Sequence, residues 1–427
     1  MWRRRLKRLK SMRDHRYAED EMIAMTVMMY LVEEEKEPHR GSVFGRRVIP
    51  RDRHSAYLRL MNDYFVDNPV YPEYYFRRRF RMGRDMFTDI CRDVEAANEY
   101  FKLGYDATKQ PGFHPIQKVT AAVRVLAYGG AADSLDEYIR MGESTVIETV
   151  NHFTRTIVSL YADEYLRQPT ANDISRLLSI AEERGFPGML GSIDCMHWEW
   201  EKCPTAWHGQ YRGHFKKPTI ILEAVASYDL WIWHAFFGMP GSCNDINVLN
   251  RSHVFDSISS GYGPKVDFKV NGKDYHMGYY LADGIYPPWA TLISGVPSPV
   301  NMQQQHFTLA QAAYRKDVEM MFGKLQGKYH IVKGPARVWC PEDMRYIMLC
   351  AVILHNMGIK YERGPGLAIQ EYEGSTEPRL SNTRNVPEIS ALIENHRRIR
   401  SRAANAQLKE DLIEHLWIHD GHRRVQQ

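Results

Sequence analysis

Three carboxylates in the second half of the chain stand where a fold could bring distant residues together. Asp194 closes a short apolar run in Gly191-Ser192-Ile193-Asp194. Asp245 follows the turn Gly238-Met239-Pro240-Gly241-Ser242-Cys243-Asn244. Glu319 lies in Arg315-Lys316-Asp317-Val318-Glu319-Met320. Phosphodiester cleavage is a chemistry that would gather them: two hard divalent cations about 3.5 to 4 Å apart activate the attacking oxygen and stabilise the leaving one, and such cations prefer carboxylate oxygens. Each acid also has a plainer use. Asp245 at the start of a helix fits an N-cap, and Glu319 one turn after Arg315 fits an exposed ion pair worth only ~0.3 to 0.5 kcal/mol. Asp283, ending a later strand, is a rival third acid, and spacing alone does not separate a triad from three surface acids.

Other reactive groups have weaker patterns. Cys195, His197, Cys203 and His208 match the spacing of no common zinc finger. Trp198, Trp200, Trp231 and Trp233 alternate along strands, a pattern that serves sheet packing before base stacking. Glu223 falls in mid-strand and needs a partner if buried. His355, on an apolar helix, reads as a core histidine.

The elements that must position these residues follow from periodicity. From Gly83 to about Leu166 the apolar spacing is helical, with Val119, Val123 and Leu126 on one segment, Leu135, Tyr138 and Ile139 on a second, and Val146, Val150 and Phe153 on a third. Between the last two, Arg140 to Ser144 makes a glycine-containing turn, and Thr145 with Glu148 fits a capping box. This is either a helix-turn-helix or a structural helical hairpin. From Pro187 the period becomes that of strands: Met189 to Asp194, then Thr219 to Tyr228 and Leu230 to Gly238 as a hairpin around Asp229. Ile246 to Ile258 reads as a helix. Val266 to Val270 and Tyr275 to Ala282 flank an Asn271-Gly272 turn. Helices over Leu309 to Gly327 and Asp343 to Gly358 complete an α/β order.

The predicted domains are a basic then acidic, largely irregular lead-in over 1–62, a helical domain over 63–170, an α/β domain over 185–362, an exposed loop over 363–388 and a helical tail over 389–427. No apolar run approaches the roughly 18 to 20 residues that cross a bilayer, so no membrane partner is expected. Six scattered cysteines with no CxxC pair predict reduced thiols and an intracellular setting. The net charge of +4 does not announce a nucleic-acid binder, but its distribution is uneven. Eight Lys and Arg residues crowd the first sixteen positions, as a solvated tail or as an import or phosphate-binding segment. A second cluster, Arg77, Arg78, Arg79, Arg81 and Arg84, interleaves with aromatics and suits the outer face of a packed helix, with backbone phosphate contact as the lesser alternative.

Long motifs then carry a resemblance. Gly191-Ser192-Ile193-Asp194-Cys195-Met196-His197-Trp198-Glu199-Trp200, Gly241-Ser242-Cys243-Asn244-Asp245-Ile246-Asn247-Val248-Leu249, Gly278-Tyr279-Tyr280-Leu281-Ala282-Asp283-Gly284-Ile285-Tyr286-Pro287 and Ile353-Leu354-His355-Asn356-Met357 resemble the plant Pong-like branch of the PIF/Harbinger transposases, in the same order. Upstream, Phe76-Arg77-Arg78-Arg79-Phe80-Arg81-Met82 extends the similarity. The resemblance implies an RNase H-like mixed-sheet catalytic domain and a nuclear DDE endonuclease that cuts DNA at transposon ends and joins the freed 3′-hydroxyl to target DNA. A domesticated, non-cutting DNA or chromatin-associated protein is the alternative. It assigns the acids as Asp194, Asp245 and Glu319, with Asp283 as rival or assistant, holding two Mg²⁺ or Mn²⁺ ions. Candidate DNA contacts are Arg140, Arg155, Arg315, Lys316 and Lys324. A separate Myb/SANT-like DNA-binding protein is an implied partner, and a homo-oligomer is a further expectation. Two departures stand out: Met320 replaces a basic residue after the third acid, and the segment Val296 to His306, often basic in relatives, is glutamine-rich.

Overall fold

The structure, a computed structural model, describes residues 49–105, 109–213, 216–261, 263, 266–363 and 389–425. The basic run in the first sixteen residues and nearly all of the predicted 363–388 loop lie outside the described residues.

Helices come first: α1 (Arg53–Tyr64), α2 (Glu73–Phe80), α3 (Arg84–Ala97), α4 (Pro115–Tyr128), α5 (Asp136–Ile139), α6 (Glu143–Tyr165) and α7 (Ala171–Glu183). α1 begins ten residues before Asp63, where the irregular lead-in was expected to give way. Asp52 caps it by accepting the Ser55 amide at 3.0 Å, and Ala56, Leu60 and Tyr64 form one buried stripe. The stripe ends at the Phe76–Phe80 stack, with Tyr64 edge-on to Phe80 at 5.2 Å. α4 ends at Gly129, whose φ of 62° only glycine adopts freely, and a Cβ there would come within 2.9 Å of the His330 backbone.

The turn before α6 corrects one expectation. Thr145 and Glu148 do not form a capping box, because α6 starts two residues earlier, at Glu143, with Gly142 as its N-cap. Arg140, at φ 61°, has already turned the chain by then. Thr145 is inside the helix, its carbonyl accepting the Thr149 hydroxyl at 2.6 Å. α5 before the turn is a single turn long.

The five-stranded sheet has the order β3-β2-β1-β6-β7, from β1 (Met189–Glu199), β2 (Thr219–Ala226), β3 (Ile232–Pro240), β6 (Tyr279–Leu281) and β7 (Leu292–Ile293). A separate hairpin pairs β4 (Phe268–Val270) with β5 (Lys273–Tyr275). β1, β2 and β3 run antiparallel in succession, while β6 is parallel to β1 and β7 to β6. Two strand expectations need revision. β1 does not end at Asp194: Cys195 to Glu199 pair with Glu223 to Thr219, so the acid lies mid-strand. Asn271 and Gly272, both at positive φ, do make the expected hairpin turn. Tyr275 to Ala282, however, is not one strand, since β5 closes the hairpin and β6 crosses to the main sheet. The expected helix over Ile246 to Ile258 breaks into α8 (Asp245–Leu249) and a single turn at Asp256–Ser259; in between, the Ser252 hydroxyl turns away to donate to Glu223.

α9 (Met302–Lys328) and α10 (Pro341–Arg363) follow, then α11 (Ile389–Ile399) and α12 (Arg402–Val425) in the expected helical tail. α9 gains seven residues at its start because Asn301 caps it, accepting the Gln304 amide at 2.8 Å. α10 is buried along nearly its whole length, and its centre carries the tie between layers. Asn356, fully buried, accepts the Ile232 amide at 2.9 Å and donates to the carbonyls of Ile232 at 2.8 Å and Tyr165 at 2.9 Å. Beside it His355 Nε2 bonds the Leu230 carbonyl at 2.8 Å, and burial lowers this imidazole to about 4, as befits a core histidine. Trp198 and Trp200 are equally buried, their indole N–H groups donating to the carbonyls of Gly334 and Val338, so they pack and do not offer faces to bases. Among the described residues no helix is long and apolar enough to cross a membrane.

Replacing Asn356 by Ala strands three buried backbone groups, each costing on the order of 1 kcal/mol or more when unpaired. Asn356→Ala is therefore expected to lose roughly 3 kcal/mol of stability with an unchanged denaturant slope. A urea titration showing a loss below about 1 kcal/mol would contradict the clamp's importance.

Candidate active site

Asp194 lies opposite Ala224 of β2. Its Oδ1 accepts the Cys195 amide at 2.9 Å, and its Oδ2 faces Arg315 Nη1 at 3.4 Å. The same guanidinium nitrogen is 2.9 Å from Glu319 Oε1, so one arginine of α9 links the first and third predicted acids. Arg315 and Glu319 are one helical turn apart and share a face. Next to them the Ser192 hydroxyl donates to the Tyr314 carbonyl at 3.3 Å, tying the helix to β1. Burial pushes the Asp194 carboxyl up to about 6; the Cys195 amide and Arg315 oppose the rise, and the charges of Asp245 and Glu319 add to it.

Asp245 is not the N-cap of its helix: Asn244 is, its side chain accepting the Asn247 amide at 2.9 Å. That leaves Asp245 for another use. Its carboxyl is raised by burial, with the charges of Asp283 and Glu223 adding and a hydrogen bond from the Cys195 thiol opposing. Cys195 also contacts the Tyr286 hydroxyl at 3.5 Å. Successive side chains of a strand point to opposite faces, so the Cys195 and Asp194 side chains leave β1 on different sides, and the charge of Asp245 is felt at both. Among the described residues no group of three His, Cys, Asp or Glu side chains stands gathered around one metal position. Asp283 lies two residues beyond β6, and its charge is among those that raise the Asp245 carboxyl.

Glu223 has found the partners a mid-strand acid needs. Fully buried, it accepts the Ser252 hydroxyl through Oε1 and lies 3.3 Å from His234 Nε2, while Oε2 has no hydrogen-bond partner. Nothing in the local sequence announces this group, because Ser252 and His234 come from other elements. The imagined zinc set is dispersed: His197 bonds the Thr219 hydroxyl at 2.9 Å and His208 the Cys203 carbonyl at 3.0 Å.

The predicted DNA contacts divide. Arg140 and Lys316 are exposed. Arg155 is held by Glu342 at 3.1 Å and Asp343 at 3.0 Å and stacks over Tyr346. Lys324 lies 3.6 Å from Glu362, and Arg315 is engaged by the two acids.

Residues 163–365 match the family model described as plant transposon protein, and residues 57–95 match a domain family of unknown function. The chain is also 20% identical over 253 residues to the protein named "Putative nuclease HARBI1" in Bos taurus and in Rattus norvegicus, which covers 58% of this chain and 68% of each relative. No solved structure matches significantly.

The raised Asp194 carboxyl has a consequence for stability. Folded Asp194 titrates near 6 against a reference value of 3.8, so between these pH values the folded protein holds a proton that the unfolded chain has lost. Its ionisation therefore costs stability progressively as pH rises through that window, and fully above it. Asp194→Asn is expected to melt a few degrees above wild type at pH 7.5 in chelator, with the difference vanishing near pH 4. Equal melting temperatures at pH 7.5 would show that the buried charge carries no such penalty.

Proposed function

Through residues 163–365 the chain belongs to the plant transposon protein family, of PIF/Harbinger transposase type, and from that premise we propose that it is a metal-dependent DDE endonuclease that cleaves DNA at transposon ends and transfers the 3′-hydroxyl to target DNA. The observation that carries the reading is the convergence of Asp194 and Glu319 on one cation, Arg315, beside Asp245, whose charge adds to the rise of the Asp194 carboxyl. Such a set suits a hard dication in its donors as well as in its charge. The strand order, with an antiparallel β1-β2-β3 and parallel β6 and β7, supports assigning it to the RNase H-like class.

Asp194 and Glu319 are the core of the proposed ligand set for two Mg²⁺ or Mn²⁺ ions. Asp245, whose charge acts on Asp194, completes it, with Asp283 as rival third acid or assistant. Bound divalent cations supply activation of the attacking oxygen and charge stabilisation on the leaving one. The chain's own part is to hold these carboxylates on a strand and a helix tied together at Ser192 and Tyr314. Arg315, half-withdrawn between Asp194 and Glu319, keeps the two negative charges together and stays in reach of a scissile phosphate. Lys316 and Arg140 are exposed and placed in the proposal as phosphate contacts, in the nucleus. Arg155 is withdrawn from that role by Glu342 and Asp343, which favours a separate Myb/SANT-like protein as the source of sequence recognition. Assembly into a homo-oligomer belongs to the same proposal.

A second reading, a domesticated DNA or chromatin-associated protein without cleavage, is favoured by one observation. Met320, where relatives carry a base, is 53% exposed beside Glu319 and offers a phosphate nothing.

The test is nicking of terminal-repeat DNA in Mg²⁺. Wild type is expected to nick, and Asp194→Asn and Glu319→Gln to lose on the order of 10²-fold or more. Asp245→Asn is expected to lose as much as Asp194→Asn, and Asp283→Asn less. Absence of metal-dependent nicking by wild type would overturn the enzymatic reading in favour of the second.

A further inference from the structure

The arginine-rich segment around α2 is not used by the site described above, yet it builds an organised cationic surface with α4. Phe76 and Phe80 stack at 4.2 Å, two guanidinium groups ride on this aromatic block, and a third lies over the neighbouring ring of Tyr128. Arg84 lies 5.5 Å over Phe76, Arg124 lies 5.6 Å over Phe80 and 5.2 Å over Tyr128, and Arg81 lies 5.8 Å over Tyr128 from the other element. Rings hold the guanidinium planes without neutralising their charge. The polar bookkeeping is left open at all three: Arg81 Nε, Arg84 Nε and Nη2 and Arg124 Nη1 are buried nitrogens with no hydrogen-bond partner. Buried donors of this kind are ordinarily satisfied. Among the described residues' ion pairs, Arg84 has Glu73 at 3.8 Å, and that carboxylate is already bonded to Arg77 at 2.8 Å. Tyr128, 48% exposed, marks where the cluster meets solvent.

We propose that Arg81, Arg84 and Arg124 form a phosphodiester-binding site that grips the DNA backbone without reading its sequence. Planar guanidinium forks match phosphate oxygens in pairs, and stacking on rings fixes them in advance, so little rotamer freedom remains to be lost on contact. The site is coupled to the candidate active site through the fold: Gly129, which ends α4 one residue after Tyr128, abuts the backbone of His330 and Ile331 just beyond α9, the helix of Arg315 and Glu319. The proposal rests on the nuclease reading only for the identity of the polymer.

Binding of a short fluorescent duplex to the full chain, in chelator and at several salt concentrations, tests it with cleavage out of play. The variant Arg81→Gln/Arg124→Gln is expected to lose about tenfold in affinity for any sequence and to flatten the log–log salt slope by about 1 to 2, as each lost phosphate contact contributes about 0.9. Unchanged affinity and slope would overturn the site. As a measurement independent of refolding, DNA is expected to protect Arg81 and Arg124 of wild type from phenylglyoxal, and equal modification with and without DNA would also overturn it. If polyglutamate competes as well as single-stranded DNA of equal charge, the surface is one for an acidic protein and the phosphodiester assignment falls. Loss of nicking in Asp194→Asn with duplex binding intact would bear on the active site alone.

Discussion

The Asn356 amide satisfies both backbone groups of Ile232 and the carbonyl of Tyr165 at once, and the placement of the sheet depends on it. Ile232 is where β3 begins and Tyr165 is where α6 ends. Two further residues of α10 reach the same turn: His355 bonds Leu230, and Arg363 pairs with Asp229, which Arg176 of α7 also holds at 2.7 Å. With the β2–β3 turn fixed from below, the register of β2 is fixed, and with it the pairing of Asp194 with Ala224 and Cys195 with Glu223. The charged centre of the molecule is thus set by a neutral side chain on the helix behind it.

What the sequence made legible was whatever depends on neighbours along the chain. The helical spacing, the antiparallel β2–β3 pair and the Asn271-Gly272 turn are local, and each is present. β1 was read as ending at Asp194 because Cys195 to Glu199 mixes polar and aromatic residues, and only pairing with β2 shows them to be strand. The break after Leu249 depends on Glu223, buried in another strand, drawing the Ser252 hydroxyl inward.

The candidate site divides in the same way. Asp194 and Asp245 stand in long motifs and Glu319 in an Arg-x-x-x-Glu helix; that Arg315 links Asp194 and Glu319 was not legible, since i,i+4 spacing alone suggests a surface pair. Nor could spacing say that Asp245 would keep company with the Cys195 thiol, because that meeting depends on strand pairing no local signal reveals. Arg155 looked available on a helix face, but Glu342 and Asp343 close on it from a helix far along the chain.

The tail has a meaning for how the molecule is made. Phe186, Tyr279, Leu281, Ile293 and Phe307 share a core with Leu408, Leu412 and Leu416 of α12, and Asp411 receives Lys273 at 2.7 Å and the hydroxyl of Tyr275. Every strand of the sheet has left the ribosome by Ile293, yet the cover for this apolar side arrives only beyond residue 400. Until residues 402–416 have emerged, the nascent chain carries a sheet with one greasy flank open, the circumstance in which chaperones are needed most.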